Sequence, residues 1–428
     1  MQFDNLYSNE IYPIAVDDGY LVYAPLSNLF MHMKTGDVER LERFLSGVET
    51  VDAECEELLA TIRSQRTVHR DTRRIDSISQ IHKLSILPTL RCNFSCTYCY
   101  SALGRQDATL KEEHAMAVID WFVSRERTGL DSLWLAILGG GEPLLVPALT
   151  SSIIHHAYGR AEEQGFDLGI GLTTNGSIYD AGLSQTLVAR HVNLGVSFEV
   201  LKDVQDSQRR HYDRVVPVVR QYMDDGVDIT VKSIVTPGNV CRLVEMVEEL
   251  HRLFPGVKKY KLQIVEDTSI FGDTDTMRRF YDDFTNHFFA AHQRGIEFGM
   301  DVYVLAFKYV DMLLEHYCGG EVCLNPGGTF TICHRFSSPK EKQYAGFVYG
   351  SVGDDGVVTI DKERFASLVA HDIGHSPRCR TCFAKWHCGG GCLAQASIYD
   401  EEHLRIICDW TRSFTKEILL RRYRTVTH

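Results

Sequence analysis

Short apolar runs alternate with longer amphipathic stretches through the middle of the chain. The runs have the length of buried strands, and the stretches between them repeat apolar residues at helical spacing. The runs lie at 84–90, 133–138, 168–174, 193–198, 228–235 and 259–265, and the helical stretches at 110–127, 147–164, 180–190, 206–225, 239–253 and 274–294. Six strand–helix alternations predict parallel strands with right-handed crossovers, as an open sheet or a partial barrel.

The first 80 residues follow a different pattern. The stretch GYLVYAPLSNLFMHM (19–33) has apolar positions on both sides of a turn-like Pro-Leu-Ser-Asn and predicts a β-hairpin. Helical patterns follow at 36–47 and 51–65, and the polar, basic stretch 66–77 predicts a linker. We therefore expect three domains, namely a first module at 1–80, the alternating core at 81–300, and a section at 301–428. The last section begins with a helical pattern and then becomes rich in Cys, Gly and turns.

Composition narrows the classes of partner. The chain has 428 residues, 44% hydrophobic and 24% charged, with a formal net charge of −12 and a pI near 5.8. An acidic balance argues against nucleic acid and anionic membranes, which select basic surfaces. No apolar run reaches the ~18 residues of a membrane span, and MQFDNLYSNE has no secretory-signal pattern. We expect a cytoplasmic protein, in which disulfides are disfavoured and the thirteen cysteines need another explanation.

Eleven of the thirteen cysteines fall into two groups, while Cys55 and Cys241 stand alone and are interpreted as small buried hydrophobes. The first group is in LRCNFSCTYCY (90–100), directly after the first strand of the series. A closed structural zinc site needs four ligands, and this triplet supplies three. A 4Fe-4S cluster held by three thiolates would leave one iron open to another ligand. The stretch therefore predicts a metal site that binds something further.

Polar motifs follow the next strands at the point where each strand ends. They are GGGEP (139–143), TNG (174–176) and SFE (197–199). Because the carboxyl ends of parallel strands meet at one edge of a sheet, these motifs should converge on one rim with the cysteine stretch. Three consecutive glycines let backbone approach a small ligand closely. The combination predicts a cofactor site at that rim.

The cysteine stretch followed by GGGEP on the next strand resembles the radical S-adenosylmethionine (radical SAM) superfamily, over roughly residues 84–300. The resemblance implies an α/β fold built on a partial (β/α)6 barrel. It also implies a 4Fe-4S cluster, with S-adenosylmethionine chelating the fourth iron through its amino and carboxylate groups. The cluster ligands would be Cys92, Cys96 and Cys99. One electron from the cluster would then cleave the sulfonium to give methionine and a 5′-deoxyadenosyl radical that abstracts hydrogen.

The same resemblance implies further contacts to S-adenosylmethionine. Tyr98 occupies the aromatic position beside the adenine, and the Gly140-Gly141-Glu142 motif positions the methionine amino group. Asn175 and Ser197 match positions that often touch ribose or carboxylate. The alternative for the Asn-Gly pair is turn chemistry, in which it is frequent.

The second cysteine group lies in the last ~110 residues. On spacing alone, two zinc sites are an alternative, because Cys-x2-Cys is typical of zinc ribbons. The gaps within CRTCFAKWHCGGGC (379–392), with one cysteine downstream, resemble the SPASM domain that follows many radical SAM barrels. The resemblance implies two auxiliary iron–sulfur clusters, and the ligand count favours 4Fe-4S for both. One would be held by Cys318, Cys323, Cys333 and Cys392, and the other by Cys379, Cys382, Cys388 and Cys408. The short interval between Cys323 and Cys333 departs from the pattern and leaves the first of these clusters less defined.

SPASM enzymes mostly modify peptides or protein side chains, and two subgroups compete. Sulfatase maturases, which make formylglycine, carry an acid after the third SPASM cysteine, where this chain has His334 followed by Arg335. Maturases of ribosomally made peptides, which install thioether, C–C or C–O crosslinks, fit better. Their small winged-helix module grips the leader of the precursor by strand addition, and the hairpin and two helices of 1–80 resemble it. A structural extension is the alternative for these residues.

Three residues are candidates for roles in catalysis. His334 could accept a proton when a substrate radical is oxidised, and Arg335 adjoins it. Glu199, with Asp206 and Arg209 behind it, matches a family segment at the mouth of the active site, although Gln205 stands where a His is usual. The expected partners are a precursor peptide with its leader and a flavodoxin- or ferredoxin-type electron donor, with no nucleic acid and no membrane. A protein of another class, using clusters for electron transfer or iron sensing, is the further alternative.

Overall fold

The N-terminal unit folds around a three-stranded antiparallel sheet. The computed structural model describes residues 3–49, 51–68 and 75–427. The unit contains, in order, α1 (Asp4–Ser8), β1 (Tyr12–Val16), β2 (Gly19–Ala24), β3 (Leu29–Met33), α2 (Thr35–Leu45) and α3 (Ala53–Val68). The predicted hairpin is confirmed, because β2 and β3 pair across a short 3-10 turn at Pro25–Ser27. The sequence pattern missed β1, which makes β2 the central strand.

The alternating core has the six predicted strands in the predicted order. Its elements are β4 (Lys83–Ile86), α4 (Glu112–Phe122), β5 (Ser132–Ile137), α5 (Pro147–Gln164), β6 (Asp167–Thr174), α6 (Ala181–Ala189), β7 (Asn193–Ser197), α7 (Lys202–Gln208), α8 (Tyr212–Asp224), β8 (Ile229–Val235), α9 (Leu243–Leu253), β9 (Lys259–Ile264) and α10 (Thr274–Glu297). Neighbouring strands from β4 to β9 pair in parallel. Helices connect the consecutive parallel strands, and such crossover connections are right-handed in nearly all proteins.

The stretch predicted as one helix at 206–225 is two helices, α7 and α8. The break lies at Arg210 and His211, whose φ angles are 69° and 62°. The Gln205 side chain holds the break, because its amide oxygen accepts from the Glu199 N–H and its NH2 donates to the Arg210 carbonyl. The interruption ends α7 beside the cysteine stretch, where the Gln208 carbonyl accepts from the Thr97 N–H.

The last section continues the same sheet. Its elements are β10 (Asp301–Tyr303), α11 (Leu305–Tyr309), β11 (Val322–Leu324), β12 (Thr329–Thr331), α12 (Tyr344–Phe347), β13 (Val348–Val352), β14 (Val358–Ile360), α13 (Lys362–Val369), α14 (Lys385–Cys388), α15 (Leu393–Ile398) and α16 (Glu401–Thr427). Contrary to the prediction, the section begins with a strand. The sheet order is β10-β9-β8-β7-β6-β5-β4-β11-β12-β13-β14, with β12 to β14 antiparallel.

The two faces of the core strands differ in character. In β5, Leu133, Leu135 and Ile137 are buried in the main core, and the intervening residues face the other side. The opposite face is called the inner face here, because it lines the concave side of the sheet. From β4 to β9 this face presents mostly small and polar residues, with Trp134 and Ile234 as large apolar exceptions. It includes Lys83, Ser85, Ala136, Gly169, Gly171, Thr173, Gly195, Ser197, Thr230, Lys232, Lys261 and Gln263.

The sheet curls so that distant strands meet. Glu266 follows β9 and Arg335 follows β12, and the two side chains form an ion pair. Seven strand spacings separate β9 from β12 in the sheet order. In a flat sheet that would be about 34 Å. The inner face therefore encloses a space, called the lumen below. Among the described residues, no helix is both long enough and apolar enough to cross a bilayer.

The N-terminal unit is attached to the last section through polar contacts. The Glu10 carboxylate accepts from Lys385 Nζ at 2.7 Å and from Trp386 Nε1 at 2.6 Å. The Tyr23 hydroxyl lies 2.6 Å from His387 Nε2, and both side chains are buried. These three partners of the unit belong to α14, the turn that ends at Cys388.

Candidate active site

The cysteine loop, defined as residues 90–100, begins where β4 delivers the chain to the rim of the sheet. Its base is fixed by the Leu90 N–H, which donates to the Ala108 carbonyl at 2.9 Å. Phe94 is buried and its ring lies 4.8 Å from that of His211. The Cys99 N–H donates to the Cys96 carbonyl at 3.3 Å, which closes a turn between the second and third thiols. The three thiols are thus presented by one loop with a buried anchor.

Two arginines accompany these thiols. Burial raises the pKa of Cys96, while the charges of Arg209 and Arg105 lower it, and burial likewise raises the pKa of Cys92. Arg105 Nη2 lies 3.3 Å from Cys99 Sγ, and Nη1 donates to the Phe94 carbonyl. Cations beside thiols favour the thiolate form, which is the form that ligates metal. The sequence reading missed Arg105, since no motif marks it.

The glycine motif lies directly beside the cysteine loop. A Cβ on Gly141 would fall 2.0 Å from the Arg91 carbonyl oxygen, and one on Gly139 would fall 1.9 Å from the Gly141 oxygen. The Glu142 N–H donates to the Arg91 carbonyl at 2.7 Å, which ties the motif to the loop. Gly140 is buried against Leu90. Only glycine fits at this approach, as the predicted cofactor site requires.

The Glu142 side chain points to the end of β6 and is buried. Its carboxylate accepts from the Leu144 N–H at 3.0 Å, the Thr174 hydroxyl at 2.7 Å and the Asn175 N–H at 2.7 Å. Burial raises the pKa of Glu142, and these three hydrogen bonds oppose the rise. Most of the acceptor capacity of Glu142 is used within the protein, so the backbone of the glycine motif is the part of it best placed for a ligand.

Asn175 and Ser197, the other two predicted strand-end residues, differ in their hydrogen bonding. Asn175 donates to the Asn93 amide oxygen at 2.8 Å and accepts from the Ser177 N–H at 3.0 Å, which is a turn contact. Ser197 is half-buried at the end of β7, in register with Lys232. Its hydroxyl has no hydrogen-bond partner among the described residues. The contacts of Asn175 favour the turn interpretation, and its contact to ribose stays a prediction.

Tyr98, Glu199 and Arg209 form a buried network at the same rim. The Tyr98 hydroxyl donates to Glu199 and lies 3.1 Å from Arg209 Nη1. The other Glu199 oxygen accepts from the Ile234 N–H at 2.9 Å. Burial raises the pKa of Glu199 to about 7, against the opposing effects of Arg209, Tyr98 and this N–H. Asp206 lies outside the network, where it accepts from the Tyr212 N–H.

Tyr100 links the cysteine loop to the predicted catalytic histidine. Its hydroxyl donates to the Gly139 carbonyl at 3.3 Å, and its ring centroid lies 6.1 Å from that of His334 in an edge-on arrangement. His334 in turn contacts Glu321, which accepts from His334 Nδ1 at 2.7 Å and from its N–H at 2.6 Å. The structure therefore brings His334 to the same rim as the cysteine loop.

Glu321 is a residue that the sequence reading missed. It is buried just before β11 and also binds Ser85 Oγ at 2.6 Å and Lys83 Nζ. The charges of His334 and Lys83 hold its pKa well below the ordinary value in spite of burial. Glu321, His334 and Cys333 present atoms within 4.8 Å of one another. No local signal marks a lone Glu that reaches across a sheet to these partners.

Arg335 stands apart from this group. It pairs with Glu266, whose carbonyl also accepts from the Tyr399 hydroxyl. The guanidinium thereby bridges the ends of the curled sheet. The geometry gives Arg335 a structural contact, and its predicted catalytic role stays a prediction.

The C-terminal thiols gather into two neighbourhoods. Burial raises the pKa of Cys333 well above its ordinary value, and the nearby charges of Glu321, Cys318 and Cys392 raise it further. Burial raises the pKa of Cys388 to about 12, and the charges of Cys408, Cys382 and Cys379 contribute to the rise. That set matches the second predicted group, Cys379, Cys382, Cys388 and Cys408. Charges on these thiols therefore raise one another's pKa within each neighbourhood, although several of them are distant in sequence.

Cys323 differs from the other members of the first predicted group. It lies on β11 and is buried in a small apolar cluster with Leu87 and Leu90. In the hairpin of β11 and β12 it pairs with Thr331, two residues before Cys333. The thiol lies near the group, and its membership as a ligand stays a prediction.

Comparison with solved structures supports the fold. Neither a family model nor a curated protein sequence matches this chain. The structure of anSMEcpe with bound AdoMet matches with a TM-score of 0.58 and 15% identity, over 80% of this chain and 98% of that one. Streptococcus suis SuiB bound to S-adenosylmethionine matches with a TM-score of 0.52 and 14% identity, over 92% and 97%. SuiB bound to the precursor peptide SuiA matches with a TM-score of 0.50 and 13% identity, again over 92% and 97%.

Similarity at this level of identity establishes a common fold. The chain has an α/β architecture with a large mixed sheet, and it shares its fold with these structures. The fold inferred from the cysteine and glycine motifs is confirmed to that extent. The comparison assigns no role to the first module or to the cysteine-rich section.

Proposed function

We propose that this chain is a radical SAM peptide maturase that abstracts hydrogen from a ribosomally made precursor and installs an oxidative crosslink. The observation that carries the proposal is the meeting of the cysteine loop and the glycine motif at the rim of a sheet with this fold. Structures with the same fold were solved with AdoMet and with peptides bound. Both kinds of ligand are what the proposed reaction requires.

The residues at the rim fit a 4Fe-4S cluster. Three thiols on one loop, accompanied by Arg105 and Arg209, suit an anionic cluster with one open iron. Bound there with S-adenosylmethionine, the cluster would supply the electron that releases a 5′-deoxyadenosyl radical. The glycine backbone would then face the methionine end, and Tyr98 and Ser197 would border the nucleoside.

The network of Glu199, Tyr98 and Arg209 would hold the substrate side of the site. Arg209 stays charged in its buried position, since Tyr98, Cys96 and Glu199 raise its pKa against the effect of burial. A fixed cation and a carboxyl that titrates near neutrality can orient polar groups of a substrate. We assign Glu199 this positioning role.

His334 is our candidate for accepting the proton released when the substrate radical is oxidised. The Glu321 carboxylate fixes the orientation of the ring by accepting from Nδ1, so Nε2 is the atom that could accept a proton. Tyr100 lies between this ring and the glycine motif. Arg335 would act indirectly, because its ion pair with Glu266 holds the neighbouring His334 in place.

The C-terminal thiols would hold two auxiliary clusters, with the ligand sets given by the sequence resemblance. Mutual electrostatic effects among Cys318, Cys333 and Cys392, and among the four thiols of the second set, support this assignment. Auxiliary clusters beside the substrate site could accept the electron that an oxidative crosslink releases. The electron donor to the first cluster would be a flavodoxin or ferredoxin.

The N-terminal unit is proposed to grip the leader of the precursor by strand addition. Among the residues that the structure describes, β2 pairs on both sides and β3 on one, so β3 is the strand of the predicted hairpin with an edge for a further strand. Deleting residues 1–80 should weaken leader binding, measured by fluorescence anisotropy, while S-adenosylmethionine cleavage without peptide survives. Unchanged leader affinity in the truncated protein would refute the gripping role.

The decisive test is co-expression with each neighbouring short open reading frame, followed by mass spectrometry of the peptide. Loss of two hydrogens is expected for an oxidative crosslink, and unchanged mass with altered chirality would mean epimerisation instead. The sulfatase-maturase alternative keeps some support, because anSMEcpe has the higher TM-score of the two enzymes. A sulfatase-type peptide that gains an aldehyde, detected with a hydrazide, would favour it. Failure of reduced, reconstituted protein to cleave S-adenosylmethionine would favour an electron-transfer or sensor protein.

A further inference from the structure

Two lysines lie side by side on the inner face of the sheet. Lys232 of β8 and Lys261 of β9 are direct partners in the parallel register. Both residues are half-buried on this face. Burial and the charges of Lys261 and Lys83 lower the pKa of Lys232 to about 8, and burial and Lys83 lower that of Lys261 to about 8. Like charges directly opposite each other destabilise a sheet.

Neither lysine has an acidic partner among the described residues. Lys232 Nζ donates to Thr173 Oγ1 at 2.9 Å. Lys261 makes no hydrogen bond or ion pair with any residue that the structure describes, and Glu266, whose charge opposes the lowering of the Lys261 pKa, pairs with Arg335. The third lysine of the inner face, Lys83, differs in that Glu321 neutralises it.

Glycines on neighbouring strands make space for the larger side chains of the inner face. A Cβ on Gly195 would fall 2.4 Å from Lys232 Nζ, so the ammonium group lies over this glycine of β7. Trp134 lies in the same way over two glycines of β6. Asp167, which by strand alternation faces the same side of β6, is the exposed first residue at the other end of the strand. The two lysines therefore leave uncompensated positive charge in the lumen of an acidic protein.

We propose that Lys232 and Lys261 form a carboxylate-binding subsite in the lumen, and that it receives an acidic side chain or the terminal carboxylate of the peptide substrate. The inference rests on the proposed function and names a chemical feature of its substrate. An unneutralised cation pair in a partly enclosed space carries a cost that an anion removes. A cationic cleft also concentrates anions from solution.

The position of the pair favours a peptide over S-adenosylmethionine as the source of the carboxylate. The cysteine loop follows β4, and β8 and β9 are four and five positions away from β4 in the sheet order. In the proposed site the methionine end of S-adenosylmethionine lies at the β4 and β5 end, by the thiols and the glycine motif. The lysines line the opposite wall, toward which the uncharged nucleoside would extend.

Competitive acetylation with acetic anhydride tests the subsite without relying on turnover. At pH 8 a lysine of pKa about 8 is about half neutral and reactive, whereas an ordinary lysine is almost wholly protonated. The anaerobic holoenzyme is labelled alone, with S-adenosylmethionine, and then with each of three peptide probes. They are acetyl-Gly-Gly-Asp-Gly-Gly-amide, acetyl-Gly-Gly-Asn-Gly-Gly with a free carboxylate, and acetyl-Gly-Gly-Asn-Gly-Gly-amide. Mass spectrometry reads each lysine, and the exposed Lys259 on β9 is the internal control.

The Asp probe or the free-acid probe should lower labelling of Lys232 and Lys261 by about threefold at twice its dissociation constant. The neutral probe should leave both lysines unchanged, and Lys259 should not respond to any probe. Which charged probe protects distinguishes a side-chain carboxylate from a chain terminus. Lys232→Met should abolish protection of Lys261, and Lys261→Met that of Lys232, whereas Lys259→Met should preserve both.

Equal protection by all three probes, or none by any, would overturn the proposal. Protection by S-adenosylmethionine alone, with no further effect of a charged probe, would assign the lysines to the cofactor and also overturn it. The same samples are assayed for S-adenosylmethionine cleavage. Cleavage without probe protection refutes the subsite and leaves the proposed function standing. Protection without cleavage refutes the function and leaves an anion site.

Discussion

The two cysteine-bearing regions are built in different ways. Cys92, Cys96 and Cys99 lie on one loop whose anchor, Phe94, is within the loop, and arginines neighbour their thiols. The C-terminal thiols come from strands, turns and a helix that are far apart in sequence. Their neighbours include acids, such as Glu321 beside Cys333. A local, cationic site can form with the barrel alone, whereas the C-terminal sites need the whole last section in place.

The largest expected effect comes from removing the local site. Changing Cys92, Cys96 and Cys99 together to Ala should abolish reductive cleavage of S-adenosylmethionine, because no thiol remains to hold the cluster that delivers the electron. Iron bound by the C-terminal groups should persist, as their ligands are on other elements. Measurement of 5′-deoxyadenosine and of iron tests both statements. Cys241, interpreted from the sequence as buried, is exposed on another element, so that interpretation is wrong and Cys241→Ala is the control. Continued 5′-deoxyadenosine formation in the triple variant would disprove the assignment.

Removing one C-terminal group should have a smaller effect on activity, although it also removes one cluster. Changing Cys379, Cys382, Cys388 and Cys408 to Ala should remove about a third of the iron if three four-iron clusters are present. Cleavage of S-adenosylmethionine without peptide should continue, since the cysteine loop is untouched. Metal analysis and Mössbauer spectroscopy measure the loss, and Cys55→Ala is the control. Stoichiometric zinc in the wild-type protein would contradict the cluster assignment.

The acid beside the cysteine loop predicts a pH dependence of stability. Burial raises the pKa of Glu199 to about 7 from an ordinary 4.5, so the folded chain binds more protons than the unfolded chain between these values. The free energy of unfolding should therefore fall as pH rises through this window, by about 3 kcal/mol at most. Glu199→Gln should remove that fall, while Glu163→Gln on the exposed face of α5 should retain it. Urea midpoints at about pH 5 and pH 8 measure the difference, and parallel pH curves for wild type and Glu199→Gln would contradict it.

The cation at the local site should have the smallest effect. Arg105→Met removes a positive charge beside Cys99, which makes reduction of a nearby cluster harder. The midpoint potential should fall by on the order of 50 mV, corresponding to about 1 kcal/mol for one electron. Redox titration followed by EPR measures the shift. Arg91→Met removes an exposed arginine of the same loop and should leave the potential unchanged, so equal shifts in both variants would contradict a specific role for Arg105.

The parts of the fold that the sequence predicted are those with a regular apolar repeat. Each of β4 to β9 has buried residues at alternate positions against the helices, and this period is visible in the sequence. The break at Arg210 and His211 was not visible, because it depends on a Gln205 side chain that folds back onto the chain. The strands β11 to β14 were also missed, since runs of three to five residues carry little periodic signal.

The candidate site divides in the same way. The thiols and the glycines were predictable, because chemistry fixes their spacing within one loop. Arg105 and Glu321 were not, because each acts through a contact that only the folded sheet creates. Lys232 and Lys261 are an intermediate case. Each is a charged residue at an alternating position of its strand, and this alternation indicates in the sequence that both lysines face away from the helices.

The attachment of the N-terminal unit has a thermodynamic consequence. Glu10 and Tyr23 bind the turn α14, and the same turn ends in Cys388. A ligand that shifts the N-terminal unit relative to α14 would therefore also shift the Cys388 thiol. Conversely, a ligand that binds the thiol would change the contacts between α14 and the unit. By reciprocity, each shifts the affinity of the other by the same factor. In the proposed enzyme, capture of a peptide by the N-terminal unit and occupancy of the thiol group that includes Cys388 would therefore be linked equilibria.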